Sequence, residues 1–232
     1  MVSSAKGGVG KSTVAVNLAL GLQQKGYSTG ILDADIFGPS VPKMLGLENA
    51  GEPLLSRDGS RLLPMVGHGL RSMSMGYLIP PNKSVSWRGL LVQKALHQLL
   101  FEVEWGPLKY LIVDMPPGTG DIQLTVGQQL AVDGAVIVST PQQVALIDAQ
   151  RGIDMFSTLK IPVLGYVENM AYFTCPCCET KSRIFGETPQ LPIEKLGEIP
   201  LESNIAAQAD SGKFEARPAY AELAENVDRL CT

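Results

Sequence analysis

Residues 5–12 read Ala5-Lys6-Gly7-Gly8-Val9-Gly10-Lys11-Ser12, and a run of this kind leaves the chain around it little choice of fold. Gly7, Gly8 and Gly10 remove the Cβ atoms that would keep a ligand off the backbone, so successive N–H groups can converge on phosphate oxygens. Lys11 then reaches the β- and γ-phosphates, Ser12 offers its hydroxyl to Mg2+, and Val9 and Thr13 complete the cradle. The spacing of apolar residues that follows predicts a helix over 11–24, whose positive N-terminal end adds to the attraction. The expected ligands are ATP and Mg2+. Ala5 stands where the usual pattern begins with glycine, a change that a negative φ tolerates. Such a loop must hang between a buried strand and a helix. Only Met1-Val2-Ser3-Ser4 precede it, so that first strand is expected to be cut short.

Short β-branched runs alternate with longer amphipathic ones from here to the end of the chain, the pattern of a parallel sheet covered by helices. Helices are expected over 11–24, 87–103, 121–130, 142–159 and 218–230, and strands over 29–33, 70–75, 110–114, 135–139 and 163–168. The expected fold class is α/β, a doubly wound, mostly parallel sheet, with residues 1–232 forming a single domain. A net charge of −4 disfavours a partner held by general electrostatics, so no nucleic acid is expected. No apolar run approaches the roughly 20 residues that cross a bilayer, and no membrane insertion is expected.

Two acidic loops follow predicted strands: Asp33-Ala34-Asp35, and Asp114-Met115-Pro116-Pro117-Gly118. Carboxylates at the C-terminal ends of parallel strands face the crevice where ligands bind. Asp35 is therefore the candidate for orienting an attacking water, and Asp114 for holding Mg2+ through its water shell. Lys6 is not required by a plain phosphate-binding loop. With it, the run resembles the deviant Walker A motif of the MinD, ParA and nitrogenase iron protein superfamily, the signature-lysine class of P-loop NTPases. That resemblance implies a dimer with ATP between subunits, in which Lys6 reaches the partner's phosphates and joins Lys11 and Asp35 as a catalytic group.

The four cysteines are unevenly placed: Cys175, Cys177 and Cys178 crowd one short loop, and Cys231 lies near the C-terminus. Crowding argues for a metal in a reducing compartment over a disulfide framework. Cys175 and Cys178 can grip one centre, but zinc and [4Fe-4S] each need four ligands, and a two-fold axis would supply the missing pair. With this loop, the segments 33–40, 73–76, 87–89, 114–121, 168–170 and 184–186 make the chain similar to the Mrp family of iron–sulfur carrier ATPases.

That resemblance implies a homodimer carrying a [4Fe-4S] cluster on Cys175 and Cys178, a metal loop at 171–186, transfer of the cluster to recipient apoproteins, and Asn169 against adenine. Segments 73–76 and 87–90 resemble the mitochondrial branch that serves respiratory complex I, which implies the mitochondrial matrix, with the cytoplasm as the alternative. A positioning ATPase of the MinD or ParA kind, with structural zinc at the cysteines, is the rival reading. Its membrane helix would have to be 219–230, where Glu222, Glu225 and Asp228 suit anionic lipid poorly. Pro189 and Pro192 exclude an ordinary helix after the cysteine loop. Trp87-Arg88 is a candidate contact with a partner or a phosphate. His68, His97, Cys177 and Cys231 receive no role, and Met65, Met73 and Met75 are expected to fill the core.

Overall fold

The structure, a computed structural model, describes residues 1–36, 38–78, 89–186 and 191–231. Its centre is an eight-stranded sheet. In chain order the strands are β1 (Val2–Ser3), β2 (Thr29–Asp33), β3 (Met65–Gly67), β4 (Leu70–Ser74), β5 (Tyr110–Asp114), β6 (Ala135–Ser139) and β7 (Val163–Asn169). A small pair, β8 (Phe173–Thr174) and β9 (Lys181–Ser182), stands apart, and β10 (Lys195–Ile199) completes the main sheet. Across that sheet the order is β10-β7-β6-β1-β5-β2-β4-β3, and every pairing is parallel except β3 with β4.

The helices are α1 (Lys11–Gln24), α2 (Val41–Met44), α3 (Gly89–Phe101), α4 (Asp121–Gln129), α5 (Gln143–Thr158), α6 (Ser203–Ser211) and α7 (Pro218–Cys231). All five residues of β2 and all five of β6 are buried, as strands covered on both faces must be. Neighbouring residues serve opposite faces. Ile31, Ile112, Val136 and Val138 pack with α1 and α7, whereas Leu32 and Val113 pack with Leu96 and Leu99 of α3, and Ile137 packs with Phe156 of α5. The doubly wound, mostly parallel α/β fold is present. Gly21 brings α1 close to α7, since a Cβ there would sit 3.1 Å from the Tyr220 carbonyl oxygen and 3.1 Å from Ala224 Cβ. The apolar face of α7, Tyr220, Leu223, Ala224 and Val227, is buried by this contact.

The expected short first strand is indeed two residues long. It lies at mid-sheet, with Val2 opposite Asp114 on β5 and Val136 on β6. A cavity of about 490 Å³ opens between β5 and β6 at their N-terminal ends, lined among others by Met1, Leu111, Val132 and Val136. That is the end of the sheet opposite the glycine loop.

The expected strand over 70–75 stops at Ser74, because Met75 begins a 3-10 turn that Ser74 caps by accepting a hydrogen bond from the Gly76 N–H. The helix expected over 87–103 spans Gly89–Phe101 among the described residues; Trp87 and Arg88 lie outside them, as do 187–190 with Pro189. Met73 and Met75 are buried and Met65 is half-buried, so all three serve the core. No helix among the described residues is long and apolar enough to cross a membrane.

Candidate functional site

The chain leaves β1 through Ser4, whose carbonyl accepts from the Gly118 N–H and whose hydroxyl donates to the Lys6 carbonyl at 2.9 Å. The loop is thus tied to the segment after β5 before it turns. Gly8 and Gly10 both take φ +82°, the left-handed region that glycine enters without strain. A Cβ on Gly7 or Gly8 would meet no protein atom, so this rim of the loop faces open space that a phosphate can fill, whereas one on Gly10 would lie 2.2 Å from Asn169 Nδ2. Gly10 is the N-cap of α1 and no side chain caps it, which leaves the first turn of the helix to an anion.

Lys11 and Asp114 form a buried ion pair, 6% and 0% exposed, and Lys11 Nζ also donates to Ser12 Oγ at 3.0 Å. Asp114 Oδ2 is buried with no hydrogen-bond partner among the described residues. Burial pushes the Asp114 carboxyl up, and the Lys11 ammonium opposes that shift. A buried carboxylate oxygen without a donor, beside a serine hydroxyl at the head of a helix, suits hydrated Mg2+ on a nucleotide. The residues present fit both groups.

Sequence reasoning named Asp35 and passed over Asp33. Asp33 is the better-held carboxylate: it accepts from Ser74 Oγ at 3.0 Å and from the N–H groups of Asp35, Ser40 and Val41 at 3.1–3.2 Å. Burial, then the nearby Asp114, raises its pKa to about 7. It anchors the loop that carries Asp35. Asp35 is partly buried and its Oδ1 accepts from the Gly38 N–H at 3.2 Å, so it caps a turn beside the phosphate loop. Gln123, also missed, donates to the Pro116 and Pro117 carbonyls at 3.1 and 2.6 Å and so fixes the second acidic loop. Its signal was weak, because a glutamine two residues into a helix has many ordinary explanations.

Lys6 is exposed and enters no ion pair among the described residues. Asn169, at the end of β7, is buried and donates through Nδ2 to the Val9 carbonyl at 2.8 Å. Its neighbour Glu168, 1% exposed, pairs with Arg183 at 3.0 Å and Lys195 at 2.9 Å, and both cations also meet Glu198 of β10.

The chain then turns at Met170, φ +58°, and enters the antiparallel pair β8–β9, whose connection carries the cysteines. The Cys175 N–H donates to the Thr180 carbonyl at 3.0 Å and the Glu179 N–H to the Cys175 carbonyl at 2.9 Å, which closes a tight knuckle. Lys181 Nζ lies 4.6 Å above the Tyr172 ring and staples its base. Cys175 is partly buried and Cys178 is exposed, their thiols close enough to interact. Hydrogen bonding with Thr180, first its hydroxyl and then its backbone, holds the Cys178 thiol below its ordinary pKa. Both thiols therefore stand on one turn as a ready pair of ligands.

Among the described residues no group of three or more His, Cys, Asp or Glu side chains gathers to hold a metal. Cys177 is exposed beside the pair, and Cys231 lines the cavity at the far end of the sheet. His68 Nε2 lies 2.8 Å from the Gly212 carbonyl oxygen, and His97 stands in an exposed pair with Glu102 at 3.6 Å.

A family profile described as ParA, NUBPL iron-transfer P-loop NTPase, matches residues 1–232. The chain is 47% identical over 218 residues to an iron-sulfur cluster transfer protein NUBPL of Dictyostelium discoideum, covering 91% of this chain and 67% of that one. It is 48% identical over 245 residues to the mouse protein of the same name, covering 99% and 76%. It is 47% identical over 240 residues to an iron-sulfur cluster carrier protein of Escherichia coli K12, covering 97% of this chain but 64% of the relative. Among solved structures it is similar to a nucleotide-binding protein of Archaeoglobus fulgidus in complex with ADP, with TM-score 0.80, 40% identity, and 94% and 88% of the two chains covered. A septum site-determining protein MinD of Pyrococcus horikoshii with Mg-ADP shares the fold, with TM-score 0.69 at 20% identity over 98% and 94% of the chains.

Proposed function

The chain belongs to the NUBPL iron-transfer P-loop NTPases, and from that membership we propose that residues 1–232 form one ATP-hydrolysing domain that carries a [4Fe-4S] cluster between two copies of itself and delivers it to recipient apoproteins. One observation carries the reading: Cys175 and Cys178 stand paired on an exposed knuckle rooted at the strand end that touches the phosphate loop. Two thiols are half of the four a cubane cluster takes. A two-fold dimer supplies the other half.

The backbone of Gly7, Gly8, Val9 and Gly10 cradles the phosphates, with Ser12 and Thr13 at the head of α1. Lys11 leaves its pairing with Asp114 for the β- and γ-phosphates, which frees Asp114 and Ser12 to hold Mg2+. The metal supplies positive charge where the phosphate bond lengthens. Asp35 orients the attacking water, Lys6 neutralises the partner's phosphates in trans, and Asn169 offers its remaining amide oxygen toward the base. Hydrolysis then acts as a switch on the dimer that grips the cluster.

The identities to the mouse and E. coli relatives differ by one percentage point, so they mark the family and not the branch. The mitochondrial matrix is the compartment proposed, with complex I subunits among the recipients, on the resemblance of segments 73–76 and 87–90.

Anaerobic reconstitution with iron and sulfide tests the carrier role. The natural chain should gain the visible absorbance of an iron–sulfur cluster and about four irons per dimer. Cys175→Ala and Cys178→Ala should each lose it. Cluster absorbance that survives both changes, or stoichiometric zinc in the protein as purified, would overturn the assignment.

A further inference from the structure

The phosphate loop and the cysteine knuckle meet at adjacent residues of β7. Asn169 donates to the Val9 carbonyl at 2.8 Å and also lies where a Gly10 Cβ would be, so the end of β7 is in contact with the loop backbone at two successive residues. The loop cannot reshape around phosphates without moving that amide. One residue earlier, Glu168 is buried and holds Arg183, the first residue after β9 and five positions beyond Cys178.

The knuckle is therefore attached to the sheet at both ends. At its entry the Ala171 N–H donates to the Ile199 carbonyl at 2.9 Å, and the Tyr172 carbonyl accepts from the Leu201 N–H at 2.7 Å. At its exit Arg183 bridges Glu168 of β7 and Glu198 of β10. The entry is backbone joined to backbone. The exit is held by the Arg183 guanidinium, whose planar fork fixes direction as well as distance.

We infer that Glu168 and Arg183 transmit the nucleotide state of the phosphate loop to the cysteine knuckle, with Arg183 acting as a positioning residue. This deepens the carrier reading and rests on it, since it names the link by which ATP alters the grip on the cluster. A nucleotide that fixes the loop fixes Asn169 and the end of β7, and through Glu168 the exit of the knuckle. Cys175 and Cys178 are then held at one spacing and one angle. Release of the phosphates loosens the same path. Lys195 keeps Glu168 paired when Arg183 is replaced, at 2.9 Å, so the link can be cut without leaving a bare buried charge.

Amide hydrogen exchange on the full chain tests this without any cluster. The probe is the imido analogue of ATP, which is not hydrolysed, with Mg2+. In the natural chain it should slow exchange in residues 5–14 and also, by at least about threefold, in residues 173–182. Arg183→Met and Glu168→Gln should keep the first effect and lose the second, while Arg183→Lys should restore part of it. Unchanged protection of 5–14 shows in the same run that the variant is folded and binds nucleotide. The inference is overturned if Arg183→Met retains the full response of 173–182, or if the natural chain shows none there while 5–14 is protected. A failure to load cluster would instead strike the carrier reading and leave this measurement intact.

Discussion

Lys11 and Asp114 meet as a buried pair, and each is the other's main compensation for leaving water. A triphosphate with Mg2+ offers both a better partner: phosphate oxygens for the ammonium and a hydrated cation for the carboxylate. Lys11→Ala should therefore abolish ATP binding in isothermal titration, and it should also lower stability, by about 3 kcal/mol, because Asp114 is left alone. The Lys6 side chain is exposed and enters no ion pair among the described residues. Lys6→Ala should bind ATP as the natural chain does, yet lose about 100-fold or more of phosphate release, the cost of removing a cation that acts only as charge builds up. Normal turnover in that variant would remove its trans role. Lys11 was legible in the glycine spacing, and Lys6 only through the resemblance to the signature-lysine class. Asp33 was not, since its importance comes from three backbone N–H groups of the loop that follows it and from Ser74, which the fold brings from the end of β4.

The knuckle between β8 and β9 is the least legible element, and the most informative one. Its strands are two residues each, too short for any alternation to show, and the contacts that shape it are backbone bonds across one turn. Sequence could say that Cys175 and Cys178 share a loop. It could not say that Thr180 acts on one of them. The Thr180 hydroxyl, 3.3 Å from Cys178 Sγ, lowers the pKa of that thiol. At neutral pH more of Cys178 is thiolate than of an ordinary cysteine, and the thiolate is the form that reacts and ligates. Thr180→Val should raise the pKa toward the ordinary value and slow iodoacetamide labelling of Cys178 near pH 7 by about threefold, a difference that closes as pH rises past the thiol range. Peptide mass spectrometry of a timed labelling series reads this directly, and equal rates at pH 7 would show that the hydroxyl does nothing. By contrast β2, β5, β6 and α1 were read to the residue, because buried parallel strands are unbroken apolar runs and a phosphate loop fixes where its helix begins. β10 escaped for the opposite reason. Lys195, Gly197 and Glu198 give an edge strand a polar, broken sequence, which suits a strand with one open side.

At the scale of the whole molecule, the two proposed sites share a logic: each is half of something. Lys6 is exposed with no ion pair among the described residues, and the knuckle presents two cysteines that stand as a pair. Around them Phe173, Ile184 and Phe185 are 38%, 56% and 37% exposed, apolar surface that stays wet unless a second copy covers it. A two-fold axis near the knuckle would bury these side chains against their own images while it closes the ligand set, so that cluster binding and dimerisation become one equilibrium. Sedimentation of the reconstituted protein with ATP and Mg2+ should then show a species of twice the 24.8 kDa chain mass, and removal of iron by a chelator should shift it toward the single chain. Ile184→Asp would place a charge within that proposed contact. It should leave ATP binding unchanged and weaken the loaded dimer by about tenfold or more, because an unpaired carboxylate would have to be desolvated there. A loaded protein that sediments as one chain, with the full iron content retained, would mean that the remaining thiols come from somewhere other than a second copy.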